Sequence, residues 1–122
     1  MRRHNFKKLK VWELGMDVVD AVYNFAESLP SEERFGLRSQ CTRAAVSIPS
    51  NLAEGSGKSS NKDFCRYVEI ALGSSYEVET QLLICERRDY GDEGLREAAL
   101  TILREEQKRL ISFYNYLKRP DS

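Results

Sequence analysis

Histidine is nearly absent from this chain of 122 residues, which contains one, His4. Because His4 lies in the predicted N-terminal tail, no helix carries a histidine that could form a nucleophile-activating Ser/His or Cys/His pair. The same absence excludes the Glu-x-x-His pairs with which helical bundles hold two iron ions. We therefore expect no catalytic residues, no metal and no cofactor, and a protein that is not an enzyme.

Cysteine is scarce as well. Cys41, Cys65 and Cys85 are odd in number, lie far apart and include no C-x-x-C spacing. A disulfide framework or a zinc site needs paired or closely spaced cysteines. The sequence instead predicts three buried, reduced thiols.

Net charge is also missing, because nineteen basic side chains balance nineteen acidic ones. The whole-molecule field that draws many proteins to nucleic acid is therefore absent, and any such binding depends on local patches. Apolar runs are too short to span a bilayer, and the first residues lack the apolar core of a signal peptide. We expect a cytoplasmic protein with no membrane partner.

What the chain does contain is apolar residues at helical spacing, in four segments, with no segment that alternates as a strand does. The predicted helices span residues 7–29, 32–54, 61–88 and 93–118. Short connections predict an all-α, antiparallel up-down four-helix bundle, and Pro49 predicts a kink in the second helix. We expect one domain over residues 1–122, with a basic N-terminal tail (1–6) and a C-terminal tail (119–122).

The first predicted helix carries two apolar stripes, whereas one core contact requires a single stripe. One stripe consists of Leu9, Trp12, Met16, Val19, Tyr23 and Ala26. The second, which we predict to contact another subunit, consists of Val11, Leu14, Val18, Val22 and Phe25. Monomers rarely leave such a patch in water, although a helix central to its own bundle is the alternative. On the fourth helix one core stripe is expected, with Leu95 and Ala98 in it.

Two glutamates, Glu79 and Glu106, interrupt the apolar stripes of the third and fourth helices. A carboxylate in an apolar setting must be paired, hydrogen-bonded or neutralised. Arg43, Arg109, Asn51 or a tyrosine hydroxyl are candidate donors. We interpret these residues as a structural network, within the subunit or between subunits, rather than a catalytic group.

Basic residues cluster in two places, which together form the predicted nucleic-acid contacts. The first ten residues carry no acid, and the loop at residues 55–60 opens the third helix, whose first N–H groups suit a phosphate. The residues concerned are Arg2, Arg3, Lys7, Lys8 and Lys10 in the first cluster, and Lys58, Lys62 and Arg66 in the second. The alternatives are a solvated tail and a flexible polar turn. Aromatic residues do not alternate with basic ones along the chain, so no platform for single strands is predicted.

Residues 47–55 (SIPSNLAEG) and 73–82 (GSSYEVETQL) resemble the paired signature of the four-helix-bundle proteins of the 23S rRNA intervening-sequence family, and the resemblance covers nearly the whole chain. It implies a homopentamer, encoded in some bacteria within insertions in large-subunit rRNA genes. It also implies a structural or interface role for the polar signature residues Asn51, Glu54, Glu77, Glu79 and Gln81. The fold is similar to that of the accessory variability determinant proteins of diversity-generating retroelements, pentamers that bind a reverse transcriptase and nucleic acid.

Two hypotheses about function follow. One is a pentameric binding module whose partners are further copies of itself and either RNA or a reverse transcriptase. The other is a self-assembling scaffold or regulatory protein that binds no nucleic acid.

Overall fold

The computed structural model describes residues 4–120, which form four long helices and two short 3-10 helices. The long helices are α1 (Lys10–Ala26), α2 (Leu37–Ser56), α3 (Asn61–Arg88) and α4 (Glu93–Leu117), and the 3-10 helices span Phe6–Lys8 and Ser31–Glu33. The described residues include no strand, so the predicted all-α fold with four helices is confirmed. The up-down order and the kink at Pro49 stay predictions. Arg2, Arg3 and residues 121–122 of the predicted tails lie outside the described residues.

Each long helix packs against two others, α1 and α3 each lying between α2 and α4. Large apolar side chains with almost no exposure fill the space between them, and their removal from water is the main stabilising term. These residues include Val18, Val22, Phe25, Ile48, Leu52, Phe64, Val68, Leu82, Leu103 and Leu110. The three cysteines are free and buried, as the sequence predicts.

Helix α3 has the bounds that the sequence predicts, Asn61–Arg88. The hydroxyl of Ser60 accepts a hydrogen bond from the backbone N–H of Asp63 at 3.1 Å, which satisfies one free donor of the first turn. Asp89 ends the helix in the left-handed conformation, with φ of 58°. The cap at Ser60 and the turn at Asp89 each depend on residues next to the helix end, which is why the sequence predicts both bounds of α3.

The connection between α1 and α2 is longer than predicted, because the second helix begins at Leu37 and not at Glu32. Gly36 has φ of −106° and ψ of −114°, a non-helical conformation that interrupts the helix. A carboxylate oxygen of Glu33 accepts a hydrogen bond from the N–H of Leu37 at 3.1 Å and caps α2. Ser31 begins the short helix, and its hydroxyl donates to a carboxylate oxygen of Glu32 at 3.5 Å.

Helix α2 continues through Gly55, which the sequence places in a break. An added Cβ at Gly55 would lie 2.6 Å from the Cβ of Tyr67 and 2.8 Å from the ring of Phe64. Only glycine allows this approach of α2 to α3, so the residue serves packing and not a turn.

Candidate functional site

The N-terminal residues, the start of α3 and the end of α4 meet at one end of the bundle. The ring of His4 lies 5.2 Å from that of Phe64 and 6.4 Å from that of Phe113, and the two phenylalanine rings are 5.3 Å apart. We call this region the basic end, defined by its cations Lys7, Lys8, Lys10, Lys58, Lys62, Arg66, Lys118 and Arg119. The fold therefore brings together the described residues of the two basic clusters predicted from sequence and adds Lys118 and Arg119, which sequence reasoning missed.

Carboxylates neutralise little of this charge. Three ion pairs within 4.0 Å occur among residues 4–120, and of the cations at the basic end only Lys10 takes part, with Glu13 at 3.9 Å. That pair is exposed, and exposed pairs contribute little stability. The remaining cations are therefore available to an external anion.

Three cations of the basic end lie over tyrosine rings instead. Lys58 is 5.1 Å from the ring centroid of Tyr67, Lys118 is 5.2 Å from that of Tyr114, and Arg119 is 5.8 Å from that of Tyr116. Aromatic and basic residues do not alternate along the chain, but the fold brings these three pairs together. On a helix, residues three or four apart are neighbours, so Tyr114 and Tyr116 meet cations that are not adjacent in sequence.

A groove between α3 and α4 opens at the basic end, with a volume of about 470 Å³. Its lining residues are Lys62, Cys65, Arg66, Glu69, Tyr114, Leu117 and Lys118. Burial raises the pKa of the Cys65 thiol, although Lys118 opposes the shift. The thiol is therefore neutral, and the net charge of the groove is positive.

The carboxylate of Glu79 accepts hydrogen bonds from residues other than the predicted donors. Gln107 donates to one carboxylate oxygen at 3.0 Å, and Arg104 donates to the other at 3.3 Å, which links α3 to α4. The candidates named from sequence bind elsewhere or are exposed: Arg109 pairs with Glu105 at 3.4 Å, Asn51 donates to the Ser47 carbonyl, and Arg43 is exposed. The one-dimensional pattern could not show which face of α4 lies opposite Glu79.

Glu106 lies at the centre of the bundle with 0% of its surface exposed, and neither carboxyl oxygen makes a hydrogen bond within residues 4–120. It faces Gly15 of α1, where an added Cβ would lie 2.9 Å from one of its oxygens. Burial raises the pKa of this carboxyl to about 9, although Arg109 lowers it; the charge of Asp17 raises it further. The group is therefore protonated at neutral pH. It has no partner of the kind that acid–base chemistry needs.

The predicted oligomer interface is wrong for four of its five residues. Val11, Val18, Val22 and Phe25 are 4% exposed or less and belong to the subunit's own core, while Leu14 is half-buried beside α4. A helical wheel identifies stripes but not the side that packs inward. On α4, the prediction that Leu95 and Ala98 lie in the core is also wrong, since Leu95 is 39% exposed and Ala98 is exposed.

The other stripe of α1 is the one that reaches solvent. Met16 is 41% exposed and Tyr23 is 47% exposed, and Val46 of α2, which is 39% exposed, lies beside Met16. With Phe6, Trp12, Val19, Pro49 and Ala53, Met16 and Val46 line a shallow groove of about 360 Å³. We call the surface formed by these residues the apolar surface.

The comparisons with known proteins agree with this fold. A family model described as the 23S rRNA-intervening sequence protein matches residues 7–112. The chain belongs to that family. Its structure is similar to the crystal structure of a protein of unknown function from the S23 ribosomal protein family of Bacteroides thetaiotaomicron VPI-5482, with 27% sequence identity and a TM-score of 0.77. The match covers 85% of this chain and 97% of the other. No curated protein matches.

The two signature segments of the family contact each other across α2 and α3. The hydroxyls of Ser47 and Ser74 are 2.7 Å apart, and the Asn51 amide donates to Ser47 at 2.9 Å. Gln81 donates to Glu77 at 3.3 Å, while Glu54 is exposed. The network of Ser47, Asn51 and Ser74 is a structural link between two helices. Sequence reasoning missed Ser74 because its partner is on another helix.

Neither a metal site nor a membrane span occurs in the described part of the chain. Over residues 4–120, no group of three or more histidine, cysteine, aspartate or glutamate residues has the geometry to hold a metal ion. No helix in that range is long and apolar enough to cross a membrane.

Proposed function

We propose that this protein is a non-enzymatic, self-assembling four-helix protein that binds the phosphate backbone of RNA through its basic end. The observation that supports it is the convergence of cations from three parts of a chain whose net charge is zero. Nearly all of them face solvent and not carboxylates. Such a distribution creates a local positive field that the net charge conceals.

The charge argument predicts a weak interaction for one subunit. Lysine and arginine gain affinity for RNA by releasing counterions from phosphates, and each neutralised phosphate adds modestly to the total. Assembly raises the effect, because several basic ends in one particle bind the same RNA with a high effective concentration. Self-assembly and RNA binding therefore belong to one proposal.

The apolar surface supports self-assembly. Met16 and Val46 are each at least 39% exposed and line one groove between α1 and α2. Contiguous patches of this kind usually mark a protein interface. A pentamer is the assembly that the family resemblance implies, and we adopt it here together with a cytoplasmic location. A reverse transcriptase is the alternative partner.

The direct test is fluorescence anisotropy of the full-length protein with a labelled structured RNA at several salt concentrations. We expect affinity to fall linearly on a logarithmic plot, and Lys7→Gln/Lys8→Gln to reduce the slope by about one for each phosphate that is no longer neutralised. The matched control, Arg87→Gln/Arg88→Gln, removes two exposed cations from the far end of α3. Binding that is absent at low salt, or independent of salt, would favour the scaffold hypothesis.

Assembly is tested separately by light scattering. Met16→Glu places a charge in the apolar surface and should convert the oligomer to monomers, because a buried unpaired charge costs several kcal/mol, about 3 or more. Tyr76→Glu, at a residue of α3 with the same exposure as Tyr23 (47%), is the control and should leave the particle mass unchanged. A wild-type monomer would contradict the assembly part of the proposal.

A further inference from the structure

We infer that the groove between α3 and α4 binds unpaired nucleotides of single-stranded RNA, with phosphates on Lys62, Arg66 and Lys118 and a base stacked on Tyr114. The inference rests on the proposed function and names the form of RNA that the basic end selects. Its basis is the combination of a positive groove with aromatic rings, the two features by which proteins bind single strands.

The charges of the groove suit a phosphate. Lys62 and Arg66 are one helical turn apart on α3, and Lys118 faces them from α4. Within the described part of the chain, none of the three lies within 4.0 Å of a carboxylate. Glu69 is the one acid in the lining, and it directs phosphates toward the three cations and away from its own position.

The aromatic rings suit a base. Tyr114 is half-buried in the groove wall, and the ammonium of Lys118 lies 5.2 Å from its ring centroid. The flexible lysine stem lets that ammonium turn from the ring to a phosphate, which leaves a ring face for a base. On the other side of the α4 terminus, Tyr116 is 56% exposed, stacks on Phe113 at 6.3 Å and carries Arg119. It offers a second stacking position for the same strand.

The dimensions favour a single strand over a duplex. The groove volume of about 470 Å³ is in the range of pockets that hold one small organic ligand, such as a nucleotide. In a duplex the faces of the bases are covered by their neighbours, so only phosphates could reach the cations. Stacking on Tyr114 and Tyr116 therefore adds affinity for single strands alone.

Three probes separate stacking from charge: an oligouridylate of about 12 nucleotides, an RNA duplex of equal length, and inorganic polyphosphate, which has no bases. We expect the full-length protein to bind the oligouridylate most tightly. Tyr116→Leu and Tyr114→Leu should each weaken that binding about fivefold or more and leave polyphosphate binding unchanged. Lys62→Gln/Arg66→Gln/Lys118→Gln should weaken binding of all three probes.

Tyr76→Leu is the matched control, because Tyr76 is 47% exposed on α3 and carries no cation among the described residues. Circular dichroism checks that each variant is folded, and Tyr116, the more exposed of the two tyrosines, gives a folded variant if Tyr114→Leu does not fold. If both tyrosine variants keep wild-type affinity for oligouridylate, the stacking inference is overturned while the proposed function stands. If no probe binds at low salt, both are overturned.

Discussion

The two ends of the bundle differ in charge and in the contacts that close them. The basic end carries cations above a cluster of aromatic rings that includes Phe64 and Phe113. The opposite end carries an excess of acids, namely Glu27, Glu32, Glu33, Glu86, Asp89, Asp92, Glu93 and Glu97, beside Arg34, Arg38, Arg87, Arg88 and Arg96. The difference teaches that a net charge of zero is the sum over all side chains and does not describe the local charge of the surface that a partner contacts.

The loop between α3 and α4, at the opposite end, is closely packed. Gly91, with φ of 81°, lies against the ring of Phe25, and the N–H of Asp92 donates to the hydroxyl of Ser28 at 2.8 Å. At the basic end, Gly57 has φ of −85° and space for a Cβ, whose nearest neighbour would be 3.6 Å away. The loop before α4 is therefore closely packed at Gly91, whereas the loop before α3 has room for a Cβ at Gly57, although Gly55 packs tightly against Phe64 and Tyr67.

The largest expected effect concerns Glu106, which lies in the core between the two ends. Its pKa is about 9 in the folded protein against 4.5 for the free side chain. Between those values the folded state binds more protons than the unfolded state, so the free energy of unfolding should fall as pH rises from 4.5 to 9. The slope approaches about 1.4 kcal/mol per pH unit.

Urea denaturation across that pH range measures the effect. Glu106→Gln keeps the shape of the protonated side chain and should remove most of the slope. A slope that is the same in wild type and Glu106→Gln would show that another group causes it.

The second effect compares the two glycines. Gly91→Ala should lower the free energy of unfolding by about 3 kcal/mol, because it adds strain at a positive φ and a clash with Phe25. Gly57→Ala should change it by less than about 1 kcal/mol, since its φ and its surroundings accept a Cβ. Thermal or urea denaturation gives both values, and equal effects would contradict the difference in packing between the two loops.

The smallest effect compares the helix caps at the two ends. Ser60 caps α3 at the basic end and Asp92 caps α4 at the opposite end, each through a side-chain oxygen, at 3.1 Å and 2.8 Å. Replacement by alanine should cost about 1 kcal/mol at either position. Asp92→Ala should cost slightly more, because its charge also favours the helix N-terminus. If urea denaturation shows a larger loss of unfolding free energy for Ser60→Ala than for Asp92→Ala, the predicted order of the two variants is contradicted.

Local signals in the sequence predict much of this fold. The caps and breakers around α3 and α4 are short-range, and they predict the ends of these two helices within about one residue. The signature segments predict the family, which the family match confirms, and the four-helix fold, which the structure shows. The start of α2 is not predictable in this way, because Gly36 and Glu33 act through a conformation that composition does not reveal.

The site was less predictable because it depends on contacts between helices. The pattern shows two apolar stripes on α1 but not which one packs inward, since one helix alone does not show where its neighbours lie; the predicted interface stripe is mostly core, and the other stripe has exposed members at Met16 and Tyr23. Glu106 was recognisable as a polar residue in an apolar stripe. The sequence does not show that the Glu106 carboxyl lacks a hydrogen-bond partner, because this depends on its position opposite Gly15 on another helix. The tyrosine–cation pairs of α4 were detectable from their spacing of three and four residues.

The measurement that tests the central claim most directly compares two variants of equal net charge. Lys58→Gln/Lys62→Gln/Arg66→Gln removes three cations from the basic end, and Arg34→Gln/Arg87→Gln/Arg88→Gln removes three from the opposite end. In fluorescence anisotropy with one labelled RNA at low salt, we predict that the first variant loses about tenfold or more of its affinity while the second stays within about twofold of wild type. Equal losses in both variants would contradict the claim that RNA binds at the basic end.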